Sequence, residues 1–440
     1  MARLTFSLAA AAASLVSSVS AAATSGDFNV LTMNVAGLPA IFNGNEIPGD
    51  KTTNSRLIGS LFAKYDYDVI HVQEDFNFHA AIYATDDHPF RTATSGGVPF
   101  GSGLNTLSNF DWINFSRKKW NVCSDASSAD CLTPKGFTFM RAKVEEGVYI
   151  DMYNLHADAG TEPKDIEARA ANMKEVSDYI KTWSVGNAVL VFGDTNSRYS
   201  RKSVGDVANI FAEQNGMKDV FAEIPRKGIT PTVETLCSNP SLDNTCETVD
   251  KHFYRGSRQL SLQATAFNYD SSKFLQADGS ILSDHNPIAV NYTWAASPSF
   301  RQSNYYGGPH GTWFNDLDAL PAKPKTSVIT FRGSNRVDSV GLTLTNGQTF
   351  AHGGNGGNVA SLTLASNEFW TSAKLCQAQK DKRTRIFYIL ATTSTGRTIS
   401  TGKTTSDCVT YSAPAGWQIV GYNGQVGDEV DQLALIYAPQ

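Results

Sequence analysis

A chain of 440 residues is longer than one ordinary hydrophobic core serves, so two domains are expected. Its 37 Lys and Arg against 42 Asp and Glu leave a formal charge of −5, which gives no electrostatic reason to capture a polyanion and weighs against a protein that lives on nucleic acid. Beyond the N-terminus no segment approaches the roughly 20 apolar residues of a membrane-spanning helix, and the mature chain is expected to be soluble.

The first pattern in chain order is a leader. Arg3, an apolar Ala-rich stretch over 4–16 and small residues over 17–23 predict a secretory signal peptide over 1–22. Residues 28–33 form a short apolar run ending at Asn34, and residues 68–72 form a second ending at Gln73-Glu74. Runs of this kind predict buried strands, so the polar residues after them fall where strands leave a sheet. Between the two, residues 54–65 place Leu57, Ile58, Leu61 and Phe62 on one helical face. A strand over 148–153 leads to Asn154-Leu155-His156, and a strand over 188–192 leads to Gly193-Asp194-Thr195-Asn196. The helix between them, over 165–183, carries Ile166, Ala170, Met173, Val176, Ile180 and Trp183 at helical spacing. Asp250 heads a strand through Phe253-Tyr254, and Ser283-Asp284-His285-Asn286-Pro287 is the last polar box.

The texture changes after Trp294. The stretch Ala295-Ala296-Ser297-Pro298-Ser299 predicts a linker over 295–304, between a first domain over 23–294 and a second over 305–440. Short segments at 327–331, 337–344, 361–364, 385–390, 417–422 and 433–437, separated by Gly, Asn and Ser, predict an all-β sandwich, barrel or prism. Phe369-Trp370 and Phe387-Tyr388 are expected in its core. Six cysteines fall along the chain as Cys123 and Cys131, Cys237 and Cys246, and Cys376 and Cys408. Sequential pairing is the simplest of fifteen arrangements. With no Cys-x-x-Cys spacing, the cysteines predict structural disulfides formed in an oxidising compartment. Asn114-Phe115-Ser116 and Asn291-Tyr292-Thr293 are glycosylation acceptors.

The five boxes supply the parts of a hydrolytic metal site. A hard divalent cation takes oxygen ligands and needs one or two carboxylates beside a phosphate. Glu74 at a strand end is the best ligand candidate, and Asn34 one strand earlier can share the metal and phosphate oxygens. Asp194 and Asn196, two residues apart on a segment read as extended, point to the same side. One can position the attacking water while the other holds phosphate. His285 is the candidate base and His156 the candidate donor to the phosphate or leaving group. Asp250 is placed to fix the tautomer of His285. His71 and His79 are expected to be structural.

In this order the boxes resemble the endonuclease/exonuclease/phosphatase superfamily, the fold of DNase I, over roughly residues 27–294. The resemblance implies a four-layer α/β sandwich around two packed mixed sheets, with Mg²⁺ or Mn²⁺ at Glu74, Asp284 supporting the metal site, and in-line attack by water with His285 as base. Cys123 to Cys131 followed by Lys135-Gly136-Phe137 resembles the Cys-rich loop and strand of secreted and neutral sphingomyelinases, as do 101–108 with Phe110 and Trp112, and Arg56-Leu57-Ile58-Gly59. Lys135 then becomes a candidate phosphate contact. The resemblance implies a secreted sphingomyelinase-like phospholipase C acting on a lipid phosphodiester at a membrane surface. One departure is that residues 267–274 are a thinner version of the aromatic, membrane-seeking hairpin of the bacterial enzymes. The alternative is a secreted nuclease of the DNase I kind, although the loop 75–80 after Gln73-Glu74 lacks the Arg that would enter a minor groove. A third reading is a carbohydrate-binding protein with an idle or secondary hydrolase half, against which the intact metal set argues.

Residues 305–437 resemble the jacalin-related lectins. The resemblance rests on the opening 307–315, the Gly-rich 352–357, Glu368-Phe369-Trp370-Thr371-Ser372 and Gly427-Asp428-Glu429-Val430-Asp431. It implies a β-prism of three four-stranded sheets with a glycan site at Gly308, Gly427, Asp428, Glu429 and Asp431. There Asp431 would accept from two sugar hydroxyls, and Asp428 and Glu429 would offer backbone N–H groups.

Overall fold

A computed structural model describes residues 22–39, 47–127, 129–200 and 207–440. The expected signal peptide lies outside these residues except for Ala22.

The first half builds two six-stranded mixed sheets. Its strands are β1 (Ser25–Asn34), β2 (Val69–Gln73), β3 (Phe90–Arg91), β4 (Asn105–Ser108), β5 (Trp112–Lys119), β6 (Gly136–Glu145), β7 (Val148–Leu155), β8 (Ala188–Asp194), β9 (Lys218–Asp219), β10 (Asp250–Arg255), β11 (Leu260–Tyr269) and β12 (Ile288–Ala296). One sheet runs β11-β12-β1-β2-β4-β3 and the other β5-β6-β7-β8-β10-β9. The helices are α1 (Lys51–Tyr65), α2 (His79–Tyr83), α3 (Pro163–Trp183), α4 (Val207–Asn215) and α5 (Val220–Glu223).

Alternation along the strands explains the four layers. In β1 Val30 faces the opposite sheet, while Leu31 and Met33 pack under Ile58, Leu61 and Phe62 of α1. In β8 Leu190 and Phe192 face the opposite sheet, while Val189 and Val191 meet Met173, Val176 and Ile180 of α3. Both helices start earlier than their apolar pattern because polar caps extend them. Asp50 accepts from the Thr53 N–H at 2.8 Å ahead of α1, and Glu162 with Asp165 closes a capping box ahead of α3.

The second half is a β-prism of three antiparallel sheets. The first combines Arg301–Gln302, Tyr306–Gly307, Thr312–Asn315, Trp417–Val426 and Val430–Pro439. The second combines Thr326–Gly333, Val337–Leu344, Thr349–Gly353 and Asn358–Thr363, and the third Trp370–Lys380, Arg383–Thr393, Thr398–Gly402 and Asp407–Ser412. The first sheet has five members rather than four because two short pieces, Arg301–Gln302 and Tyr306–Gly307, both pair with Val430–Pro439. Trp370 is buried in the core as expected, but Phe387 and Tyr388 are only half-buried. A register shift opposite Cys376 and Gln377 turns Ile386 and Ile389 inward instead.

Little of the stretch 295–304 is a free linker. Ala295 still pairs with Ser25, Phe300 lies in the prism core and Arg301 pairs with Tyr437. The two domains share a packed junction that no local pattern announces. Arg141 is fully buried, donates to both carboxylate oxygens of Asp151 at 2.7 and 3.1 Å, and lies 3.6 Å over the Trp313 ring of the prism. Gly147 N–H donates to Asn304 Oδ1 at 2.9 Å, and Asn114 and Gln432 exchange two amide hydrogen bonds of 3.2 Å. The expectation that Asn114 accepts a glycan is therefore corrected: its amide is used in the junction, whereas Asn291 is exposed. The junction lies at the foot of the sandwich, where β1 and β7 begin. The polar boxes lie where these strands end.

The cysteines pair as Cys123–Cys131, Cys237–Cys246 and Cys376–Cys408.

Candidate active site

β1 runs parallel to β2 and β7 parallel to β8, and their C-terminal ends converge across the gap between the sheets. Gln73 Nε2 donates to Asn154 Oδ1 at 2.7 Å, and Asn154 Nδ2 donates to the carbonyls of Val72 and Asn105 at 3.0 and 3.1 Å. This buried amide pair ties one sheet to the other directly beneath the site. His71, stacked 3.7 Å from Phe192 and pushed down to about 3 by burial, is a neutral core residue. His79 bonds Asp75 Oδ2 at 2.7 Å.

Glu74 follows β2 with φ +56°, a left-handed backbone that a side chain rarely adopts. The turn is possible because Gly37 faces it: a Cβ there would lie 2.3 Å from the Glu74 carbonyl oxygen. Asn34 Nδ2 sits between Glu74 Oε1 at 3.2 Å and Asp194 Oδ2 at 3.3 Å. Glu74 Oε2 is buried without a partner. Burial pushes the Glu74 carboxyl up, while Lys135, His285 and Asn34 pull it back down. The orphaned carboxylate oxygen is a ligand that a hard cation satisfies, while Asn34 turns its amide nitrogen to the two carboxylates and its Oδ1 accepts from the Ala36 N–H at 3.0 Å. Asp284 is exposed at the rim; burial lowers the Lys51 pKa, and the charges of Glu74 and then Asp284 only partly oppose that.

Asp194 is the hub of the other side. Its Oδ2 lies 3.4 Å from His156 Nε2 and 3.8 Å from His285 Nε2, and its Oδ1 accepts from the Asn196 N–H at 2.9 Å. Burial would raise the Asp194 carboxyl, but His285 and His156 hold it below the usual carboxylate range. His285 Nδ1 bonds Asp250 Oδ2 at 2.9 Å, which leaves Nε2 toward Asp194. Burial opposes charge on His285, yet Asp250 and then Asp194 lift its pKa well above the ordinary imidazole value. Ser283 Oγ donates to the Asn34 carbonyl at 2.5 Å and accepts from the His285 N–H at 3.1 Å, so the last box is fastened to the first.

His156 is pushed down to about 3 by burial and then by Lys135, and is neutral. Lys135 Nζ lies 3.2 Å from His156 Nε2 and forms an ion pair with Asp130. Two of its three N–H groups are thereby placed and one remains for the cavity. His156 Nε2 therefore faces both the Lys135 ammonium and Asp194 Oδ2 at 3.4 Å, and Lys135 joins His156 as a group turned toward the phosphate.

In the prism, Gly308 N–H donates to the Asp431 carbonyl at 2.9 Å and Gly427 N–H to the Glu429 carbonyl at 3.0 Å. Gly427 and Asp428 are exposed, and Asp431 Oδ1 is buried without a hydrogen bond and ion-paired to Arg385 Nε at 3.6 Å. The Glu429 carboxylate is taken by Arg336 at 2.8 Å and Arg385 at 2.8 Å, which hold it down at about 2.

Residues 43–291 match the model of Endonuclease/Exonuclease/phosphatase family 2, and residues 303–436 match the Jacalin-like lectin domain. The chain belongs to the endonuclease/exonuclease/phosphatase family, with a jacalin-like lectin domain behind it. A sphingomyelinase of Mycobacterium bovis, like one of Mycobacterium tuberculosis, is 36% identical over 279 residues, 62% of this chain and 54% of the relative. The chain thus spans about half the length of the curated relatives it matches. Among solved structures, a Staphylococcus aureus beta toxin variant with bound magnesium ions is 16% identical, covering 60% of this chain and 99% of that one at a TM-score of 0.41. A mannose-binding jacalin-related lectin from Ananas comosus is 21% identical, covering 32% and 99% at a TM-score of 0.29.

Within the endonuclease/exonuclease/phosphatase domain the structure brings Asn34, Glu74, Lys135, His156, Asp194, Asp250 and His285 together and leaves Asp284 at the rim. Asn196 differs from the expectation in its backbone. It is not extended but left-handed, φ +49°, in a turn closed by Asp194, and its Nδ2 donates to the Ala157 carbonyl at 3.0 Å. Two participants escaped sequence reasoning. Asp130, within the Cys123–Cys131 loop, holds Lys135, and Lys51 donates to the Ala36 and Leu38 carbonyls at 3.0 and 2.7 Å beside Glu74. Neither belongs to a box or stands at a strand end.

Proposed function

We propose that this protein is a secreted, divalent-metal-dependent phosphodiesterase of sphingomyelinase type, a phospholipase C that releases a phosphorylated headgroup from a sphingolipid, and that its lectin domain directs it to glycosylated surfaces. The observation that carries the reading is the arrangement around Asp194. One buried carboxylate reaches both His156 and His285, and Asn34 links it to Oε1 of Glu74, whose Oε2 is orphaned. The sphingolipid substrate is supported by the 36% identity to proteins named sphingomyelinase, and export by three disulfides.

Mg²⁺ or Mn²⁺ would be held at Glu74, with Asn34 beside it and Asp284 in support, and would supply Lewis-acid stabilisation of the phosphoryl oxygens. His285 Nε2 takes a proton from the attacking water while Asp250 holds Nδ1 and stabilises the imidazolium. Asp194 and Asn196 orient the water and phosphate, and Lys135, positioned by His156 and Asp130, neutralises charge on the phosphate. The bond broken is between phosphorus and the lipid oxygen, which leaves as the alcohol on taking a proton, with His156 beside Lys135 as the candidate donor.

The test is release of phosphorylated headgroup from sphingomyelin and from inositol phosphosphingolipid, run beside nicking of plasmid DNA, each with and without Mg²⁺. Metal-dependent lipid turnover is the expected result, and nicking without lipid turnover would assign the chain to the nuclease branch. For the prism, Asp431→Ala is expected to abolish retention on a glycan array without changing hydrolysis. Unchanged retention would remove the glycan site from Gly308, Gly427, Asp428, Glu429 and Asp431.

A further inference from the structure

Eight large apolar side chains are exposed among the described residues, and seven of them lie on three loops around the mouth of the candidate active site. The first loop carries Phe100, 84% exposed. It packs against the turn at Glu74, since the Asp75 N–H donates to the Gly103 carbonyl at 3.0 Å and a Cβ on Gly103 would lie 3.1 Å from the Glu74 Cα. The second loop carries Val122 and Leu132 on either side of the Cys123–Cys131 link. It flanks His156, whose carbonyl accepts from Trp120 Nε1 at 2.8 Å. The third carries Ile229, Val233, Leu236 and Leu242, and Leu236 lines a cavity of about 210 Å³ together with Asp250, Asp284 and His285.

The third loop is fastened at its base. Asn239 Nδ2 donates to the Ser283 carbonyl at 2.8 Å, Asn286 Nδ2 to the Ser238 carbonyl at 3.0 Å, and the Ser241 N–H to Asn286 Oδ1 at 3.1 Å. With the Cys237–Cys246 link, these bonds fasten the third loop to the box that bears His285. Leu242 is 91% and Val233 75% exposed on this platform. Leaving aliphatic groups in water is unfavourable, and clusters of them mark a contact surface. Residues 267–274, the thinner version of the bacterial hairpin, offer no exposed aromatic here: Phe267, Tyr269 and Phe274 are buried in the core.

We infer that this apolar ring is an interfacial docking surface that seats the catalytic mouth on a zwitterionic lipid bilayer. The charge on the loops selects this partner. Lys135, Arg226 and Lys227 stand against Asp125, Asp130, Glu234 and Asp243, so the ring is close to neutral. It has neither the basic excess that captures nucleic acid nor the polybasic cluster that reads anionic lipid. The inference rests on the lipid phosphodiesterase reading for its purpose but not for its test.

The experiment compares the full chain with the triple variant Phe100→Ser, Val233→Ser, Leu242→Ser, none of which touches the catalytic groups. Partition onto vesicles of phosphatidylcholine alone is measured by sedimentation. Turnover is followed on sphingomyelin bilayers and on soluble bis(p-nitrophenyl) phosphate, and melting temperatures check folding. The expected result is vesicle binding by the parent that survives raised salt, falls by roughly 100-fold in the variant, and takes bilayer turnover down with it while soluble turnover is kept. Equal partition of the two proteins, or no vesicle binding by the parent, overturns the inference. So does a parent dimer that the variant dissociates, which would make a second copy the occupant. Vesicle binding that behaves as expected without any sphingolipid cleavage upholds the docking surface and removes the substrate reading instead.

Discussion

His285 stands between two carboxylates, and that position sets its pH behaviour. Burial alone would keep the imidazole neutral, but Asp250 and Asp194 lift its pKa well above the ordinary value. A general base must be unprotonated to work, so activity rises with pH as His285 loses its proton. Replacing Asp250 by Asn removes the nearer of the two charges and lowers the His285 pKa. The acid limb of kcat/KM, measured at saturating Mg²⁺, is expected to move to lower pH while kcat falls by about 10²–10⁴-fold. An acid limb left in place would show that Asp250 does not act through His285. At this scale Asn34, Glu74, His156 and Asp194 were legible because each follows an apolar run, and a strand end delivers its next residue to the edge of the sheet, while His285 was legible from its Ser-Asp-His-x-Pro box. Asp130 and Lys51 were not legible. Lys135 finds Asp130 and Glu74 faces Lys51 only after loops have folded back, which no spacing encodes.

Among elements, the strands and the two long helices were readable because burial on one or both faces imposes a period of two or 3.6 on the apolar residues. The helices α2 and α5, with five and four residues, are too short to show a period. The left-handed turn at Asn196 was missed because its determinant is the bond from its own N–H to Asp194 Oδ1. The prism offers a test of a local element. Glu368 is buried before the strand Trp370–Lys380, where Thr393 Oγ1 donates to it at 2.5 Å, the Ala365 N–H at 3.0 Å and Arg397 Nη1 at 2.8 Å. The Thr393 hydroxyl first, and then the Ala365 N–H, hold its carboxyl down at about 2, against an ordinary value of 4.5. Stability from a depressed carboxyl is complete above the ordinary value and is lost as the pH falls through the folded one. Glu368→Gln is expected to cost about 1–3 kcal/mol at neutral pH. Melting curves of the two proteins are expected to converge between pH 4.5 and 2, and a gap independent of pH would refute the role of the charge.

Across the whole molecule, the domains are joined by more than the chain. Arg141 and Asp151 form a fully buried ion pair that would be costly against bare solvent-excluding walls, and Trp313 of the prism closes it from above. Trp313→Ala is therefore expected to lower stability by about 3–5 kcal/mol and to split one calorimetric transition into two, as the domains cease to melt together. A single unshifted transition would show the contact to be incidental. The docked prism lies at the foot of the sandwich and the polar boxes at its head, so the proposed glycan site at Asp431 and the proposed phosphodiester site at Glu74 would engage opposite ends of the first domain.

Local sequence carried the alternation of strand and helix in the first half, the all-β texture of the second and the order of the five polar boxes, because periodic burial and strand ends are properties of neighbours along the chain, and the resemblance carried by those boxes supplied the two named folds. Tertiary structure alone decided the meeting of His156 with Lys135 and Asp194, the orphaned oxygen of Glu74, the junction through Arg141 and Trp313, and the apolar ring around the mouth. Each of these depends on which groups distant in sequence are brought into contact, and on which of them are left without one.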